Sequence, residues 1–328
     1  MQPFIVIGEN IHCSRTVKTT GPRVRDNAIV FDGGVLPVPD AIRSGTDWTN
    51  GIVHPCSVAA WQGLHGSDCD KIAATAFITA LAQAQTEAGA RFLDINVDAF
   101  SSDIAERCAA MKWIAGVAQR AVATPLCIDS SHPAVLEAGL AACTKGTALL
   151  NSVSLERRES IAVAAAHRAG VIASAAGEHD IPATAEGRLA NFAQLAVLLK
   201  KAGIIGEKIY FDPLVLPVGV DPVQPGVTLA TIRQARKMYG DTIHITGGFS
   251  NVSFGMPQRK MLNEVFVWMA LEAGADSGIV DPLLTGPRRI AALDPQSEPF
   301  RLAHAVLSGA DEYGSEFLAA SRDGRLGK

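Results

Sequence analysis

Short apolar runs alternate along this chain with longer, alanine-rich amphipathic stretches. The runs at 4–8, 91–96, 125–129, 147–151, 170–174, 208–212, 242–245 and 277–281 lack the polar alternation of a half-wet strand. They therefore read as strands buried on both faces, as in a parallel sheet covered by helices. Helical spacing predicts helices at about 70–88, 103–121, 132–143, 156–168, 184–202, 226–239, 259–273 and 287–308, a further helical stretch near 311–321, and a frayed tail beyond. Abundant Ala and Leu support these helices, and Ala-Gly or Tyr-Gly pairs supply their stops. Eight strand–helix units predict an α/β chain folded as one (β/α)8 TIM barrel over residues 1–328, rather than a doubly wound sheet.

The pattern breaks between Ser14 and Cys69, where "TGPRVRDN", "FDGGVLPVPD" and "SGTDWTNG" crowd turn formers together. This stretch, about 14–69, reads as a long irregular insertion after the first strand that packs against or lids the carboxyl end of the barrel. Its length predicts short strands or a helix within it. His54, Cys56, His65 and Cys69 lie in or at its edge. Their types suit zinc, but the spacing matches no recognised finger, so they read as loop and packing residues and no metal site is expected.

Composition narrows the function classes. The 328 residues carry 29 Lys and Arg against 33 Asp and Glu, a formal charge of −4, and 48% are apolar. A core of good size is affordable, and no dominant basic surface is present. Aromatics at 6% do not interleave with basic residues, which argues against nucleic-acid binding. Six scattered cysteines form no CxxC, so neither a disulfide scaffold nor a tetrathiolate site is expected. With no leader-like start and no apolar 18-mer, the expectation is a soluble cytoplasmic protein without membrane association. Neither GxGxxG after a strand nor GxxxxGK[ST] occurs.

The chemistry lies at the strand ends. "IGENIH" brings Glu9, Asn10 and His12; "LDINVD" brings Asp94, Asn96 and Asp98; "CIDSSH" brings Asp129, Ser130 and His132. Later ends supply Asn151 and Ser152, Asp212, Ser250 and Asn251, and Asp281. In a barrel these ends and the loops after them form the active-site face, so recurrent polar residues there make a site hypothesis. Carboxylates accept from ring N–H and amino groups, carboxamides donate and accept across a ring edge, and Gly247 and Gly248 permit close backbone approach. The set points to a polar heterocycle. His12 and His132 read first as structural hydrogen-bonders.

These strings resemble the pterin-binding barrel family, and within it the methyltetrahydrofolate:corrinoid methyltransferases. The resemblance begins at "IGENIH", resumes near residue 71, and runs through "LDINV", "LCIDSS", "LLNS", "IYFDPLVLPVG", "GGFSNVSFGMPQR" and "GIVDP". It implies methyl transfer, in either direction, between N5 of tetrahydrofolate and the cobalt of a corrinoid. Residue by residue, it implies pterin contacts from Glu9, Asp94, Asn96, Asp129, Asn151, Asp212 and Asn251. Catalytic roles fall on Asn251, beside N5, and on Asp212. The chain has Asn10 where some members carry a basic residue, and the resemblance gives the 14–69 insertion no chemistry.

Tetrahydrofolate or 5-methyltetrahydrofolate is then substrate or product, and cobalamin the methyl donor or acceptor. No Asp-x-His-x-x-Gly corrinoid-binding string occurs, so the partner is a separate corrinoid protein or free cobalamin. A homodimer is also implied. Two alternatives stand beside this reading: a dihydropteroate synthase-like enzyme, and a non-catalytic pterin-binding or corrinoid-docking subunit.

Overall fold

The computed structural model describes residues 4–327. Its main sheet has eight strands: β1 (Ile5–His12), β2 (Ala90–Asn96), β3 (Leu126–Asp129), β4 (Leu149–Val153), β5 (Gly170–Ser174), β6 (Ile209–Asp212), β7 (His244–Ile245) and β8 (Ser277–Val280). They run in the order β7-β6-β5-β4-β3-β2-β1-β8. A parallel bridge between Gly248 and Ile279 links the end of β7 to β8 and completes the (β/α)8 arrangement. Every predicted strand forms, with small shifts at its ends. β1 runs further than expected, so Glu9, Asn10 and His12 lie within the strand rather than beyond it.

The described residues divide into two compact units, 8–151 and 4–7 with 152–327. In the first unit the 14–69 stretch is more regular than the turn-rich sequence suggests. It forms a three-stranded antiparallel meander (Val24–Arg25, Ala28–Phe31, Gly34–Pro37), a two-stranded pair (Val17–Lys18 with Ile52–Val53), two short helices, and an 11-residue helix, Pro55–His65. Asp26 and Asn27, both at positive φ, make the tight turn between the first two meander strands. The meander packs on the crossover helix Asp68–Glu87, with Phe31 edge-on to Phe77 at 5.2 Å. That contact corrects the irregular part of the expectation: burial against a helix, not loop chemistry, organises the excursion.

The helix Pro55–His65 lies close against Ile104–Ala121. A Cβ at Gly63 would come within 2.3 Å of the Trp113 ring, so only glycine lets the two approach this closely. Gly63→Ala is therefore expected to lower unfolding stability by roughly 1–3 kcal/mol, read from the urea midpoint. A midpoint equal to that of the parent protein would show that the ring moves aside freely.

Helix starts follow their caps. Ser67 and Asp70 form a reciprocal capping box, and Asp103, Thr184 and Ser297 accept from backbone N–H groups at their helix starts. The predicted helix 287–308 is two helices, Pro287–Ala291 and Glu298–Ser308. Asp294 turns the chain through a bond to Gln296 N, and Ser297 caps a fresh start. The predicted helix 156–168 begins later, at Ser160, because Ser154 and Arg157 form a turn ahead of it. The tail expected to fray is tied down through Gly327: Leu326 is buried, and the Gly327 carbonyl accepts from Gln258 Nε2 at 3.1 Å.

Among the described residues, no helix is long and apolar enough to cross a membrane.

Candidate active site

In unit 8–151 the parallel register places Asn96 beside Asp129 and Asp129 beside Asn151, one level across three strands. Asp94 sits two residues back on the same face of β2. Asn96 Nδ2 donates to Asp129 Oδ2 at 2.9 Å, while its Oδ1 accepts from Asp98 N, which fixes the orientation of the amide. Asn151 Nδ2 donates to Asp94 Oδ1 at 3.2 Å. Asp94 is buried, and burial pushes its carboxyl up to about 6 against the hydrogen bonds from Cys127 and Asn151. Four of the seven proposed pterin residues are thus joined in two bonded pairs. Glu9, on β1, is ion-paired with Arg15 at 3.2 Å.

Other polar residues at these strand ends are occupied by the fold. Asp98 accepts from Ser130 Oγ at 2.6 Å and from Ser131 N at 2.7 Å. Burial pushes its carboxyl up, but these bonds and Arg107 outweigh burial and hold it below the usual range. His132 caps the helix Pro133–Ala142 by accepting from Ala134 N. His12 Nδ1 accepts from Ser14 N at 3.1 Å, and burial, with Arg15 nearby, lowers its pKa to about 4. It is therefore a neutral imidazole with Nε2 protonated at physiological pH.

The cysteines and histidines of the insertion edge have separate partners: His54 faces Asp47, Cys56 faces the Asn10 carbonyl, His65 pairs with Glu106, and Cys69 is exposed. Among the described residues, no three His, Cys, Asp or Glu side chains gather to hold a metal ion.

The second unit carries Asp212 and Asn251. Phe211 stacks on Phe192 of the helix Ala185–Lys201 at 4.3 Å, so Asp212, the next residue, projects to the opposite face of β6. Its Oδ1 accepts from Leu214 N at 2.9 Å, and burial pushes the carboxyl up to about 6 despite that bond and Arg188 nearby. Asn251 lies on the short turn Phe249–Ser253, anchored inward by Phe249 against Phe266. Arg259 clamps this turn from outside, bonding Ser253 Oγ and the Ser250 carbonyl and lying over the Phe254 ring at 4.5 Å.

Gly247 and Gly248 run between Asp212 and Asn251. A Cβ at Gly247 would stand 3.4 Å from Asp212 Oδ1, and one at Gly248 would stand 3.1 Å from Asn251 Nδ2. Phe249 and Val215 also close on Gly247, at 3.1 and 3.3 Å from such a Cβ, so glycine is what lets this backbone pack tightly between the carboxyl and the carboxamide.

Arg188, which no sequence motif marks, supports the Asp212 turn from below the surface. It is fully buried and donates to the carbonyls of Pro182, Pro213 and Leu214, to Thr228 Oγ1 and to Gln224 Oε1. Leu214 is held at φ +67, an unfavourable conformation for a side-chain-bearing residue. Arg188 thereby fixes the turn whose N–H holds Asp212. At the other end of the strands, Asp276 binds His244, Ile245 N and Arg236, an arrangement that serves stability.

The resemblance assigns Asp212 to the ring, and an ionised carboxylate accepts from ring N–H groups better than its protonated form, so heterocycle affinity is expected to strengthen as pH rises through about 6. Below that midpoint the loss should approach about tenfold per pH unit for a single linked proton. Calorimetric titration of tetrahydrofolate from pH 5 to 8 reads the slope, and Asp212→Asn should make it shallower, leaving the part that Asp94, raised to the same range, contributes. An equally steep profile in that variant would assign the proton elsewhere.

The fold is a (β/α)8 barrel with polar residues at its carboxyl strand ends, the face on which barrel enzymes bind their ligands. Residues 67–281 match the sequence model of the family described as pterin binding enzyme, and the chain belongs to that family. It is 32% identical over 257 residues to methylcorrinoid:tetrahydrofolate methyltransferase from Eubacterium limosum, covering 77% of this chain and 89% of that protein. It is also 31% identical over 215 residues to methionine synthase from Mycobacterium tuberculosis, covering 61% of this chain and 18% of that longer protein. Among solved structures, dihydropteroate synthase from Xanthomonas albilineans in complex with 7,8-dihydropteroate aligns with a TM-score of 0.57 at 15% identity, over 88% of this chain and 92% of that one. At that identity the likeness carries the fold alone.

Proposed function

We propose that this protein transfers a methyl group between N5 of tetrahydrofolate and the cobalt of a corrinoid carried by a separate protein or supplied as free cobalamin. The observation that carries the reading is the likeness to methylcorrinoid:tetrahydrofolate methyltransferase over 77% of the chain, together with the polar level Asn96, Asp129 and Asn151 at its strand ends. The family resemblance assigns Glu9, Asp94, Asn96, Asp129, Asn151, Asp212 and Asn251 to the pterin.

The residues suit that ligand. Ionised carboxylates accept from ring N–H and amino donors, and carboxamides serve either sense. The corrinoid supplies or takes up the methyl group, and among the described residues no Asp-x-His-x-x-Gly string is present to hold it. N5 departs far more readily as a neutral amine than as an anion, so a proton must be held there as the methyl group leaves. Asn251 has no acidic proton to give. Its carboxamide orients a proton delivered through solvent and stabilises the charge that develops at N5. In the opposite direction the same contact steadies N5 as it loses its proton and takes the methyl group. The family resemblance extends this reading to a homodimer in the cytoplasm.

Asp129→Ala tests the pterin assignment. It should weaken tetrahydrofolate binding about 10- to 100-fold, the value of a hydrogen bond to a charged group. Calorimetry reads the change, and an unchanged dissociation constant would remove Asp129 from the contact set.

A further inference from the structure

The register that orients Asp212 also places a hydroxyl beside it. Strands β6 and β7 pair Tyr210 with His244 and Phe211 with Ile245. Thr246 N then donates to the Phe211 carbonyl at 2.9 Å, which continues the ladder and sets Thr246 next to Asp212. The rings of Tyr210 and His244 stack at 4.4 Å, on the face opposite the Phe211–Phe192 contact. Asp212 and Thr246, two residues further along each strand, share that face. The adjoining Gly247 lies against the Asp212 carboxyl.

Thr246 is 0% exposed, and its Oγ1 has no hydrogen-bond partner among the described residues. Nearby buried hydroxyls are satisfied: Thr228 Oγ1 donates to the Leu214 carbonyl at 2.7 Å and Ser277 Oγ to the Ile245 carbonyl at 3.1 Å. A buried hydroxyl without a partner costs folding free energy, and valine, of the same shape, would avoid that cost. The sequence therefore keeps a group at this point that the fold alone does not favour.

We infer that Thr246 is a positioning residue for Asp212, its hydroxyl completing the hydrogen-bond network of the carboxylate when the pterin binds. The inference rests on the assignment of Asp212 to the pterin. Thr246 acts through Asp212 and takes no part in the transfer step. Removing the hydroxyl thus improves the empty protein and harms the loaded one.

The test compares Thr246→Val and Thr246→Ser with the parent protein, using urea unfolding without ligand and calorimetry with tetrahydrofolate. The valine variant should unfold at an equal or higher urea concentration yet bind tetrahydrofolate about tenfold more weakly, the effect of one lost hydrogen bond. The serine variant should restore most of the affinity. An unchanged dissociation constant in the valine variant overturns the inference. So does a valine variant that loses stability and affinity together while serine fails to restore binding, because that pattern marks a packing role. Absence of tetrahydrofolate binding by the parent protein would instead overturn the functional reading and this inference with it.

Discussion

Asn251→Ala is expected to slow single-turnover methyl transfer by about 100- to 1,000-fold, the usual cost of removing one preorganised hydrogen-bonding group from a transition state. Tetrahydrofolate affinity should change little. The asymmetry follows from chemistry at N5: its bond to the carboxamide strengthens as the proton settles there and the methyl group departs, so the contact is worth more in the transition state than in the bound complex. The geometry also isolates the effect. The Phe249–Ser253 turn is held by Phe249 against Phe266 and by Arg259 on Ser250 and Ser253, and none of these anchors uses the Asn251 side chain. The turn should therefore survive the substitution. A variant that transfers methyl at the parental rate would remove Asn251 from the chemistry. One that loses affinity and rate equally would make it a ground-state contact.

Arg188→Met is expected to destabilise the protein by about 3–5 kcal/mol, since several buried neutral acceptors lose their donor at once, at about 1–3 kcal/mol each. Methionine fills much of the space but leaves the Pro182, Pro213 and Leu214 carbonyls and Gln224 Oε1 without this donor. Arg188→Lys should recover only part of the loss, since an ammonium cannot span acceptors arranged for a planar fork. Because Leu214 at φ +67 presents its N–H to Asp212, loosening this turn should also weaken tetrahydrofolate binding in whatever fraction remains folded. Urea unfolding checks the first effect and calorimetry below the unfolding transition checks the second. A methionine variant of parental stability would mean that water replaces the guanidinium at little cost.

The eight strands were legible because a strand buried on both faces must be apolar and must become polar where it leaves the sheet. That one constraint marked both the fold and the assigned residues Asp94, Asn96, Asp129, Asn151 and Asp212. It could not separate residues that face a ligand from those that hold a loop. Asp98 and His132 carry the same signature, yet their acceptors are spent on Ser130, Ser131 and Ala134. Arg188 stayed hidden because an arginine in an alanine- and leucine-rich helix reads as a surface residue, and its acceptors lie in three separate chain segments. Its one local signal was its place on the face shared with Leu189, Phe192, Leu195 and Leu199, all buried. Short strands or a helix were expected in the insertion from its length and both form, but the packing of Phe31 on Phe77, 46 residues further on, is a long-range contact that no local pattern marks, whereas the Asp294–Ser297 break in the predicted helix 287–308 was readable from Asp-Pro followed by a capping serine.

Methyl transfer changes the coordination of cobalt and is therefore read from the absorption spectrum of the corrinoid. The protein is incubated with tetrahydrofolate and methylcobalamin and, separately, with 5-methyltetrahydrofolate and cobalamin reduced to Co(I). Enzyme-dependent conversion of the cobalt spectrum is expected in at least one mixture, matched one to one by the folate product. Tetrahydrofolate binding with no change of the cobalt spectrum in either mixture would contradict methyl transfer by this protein.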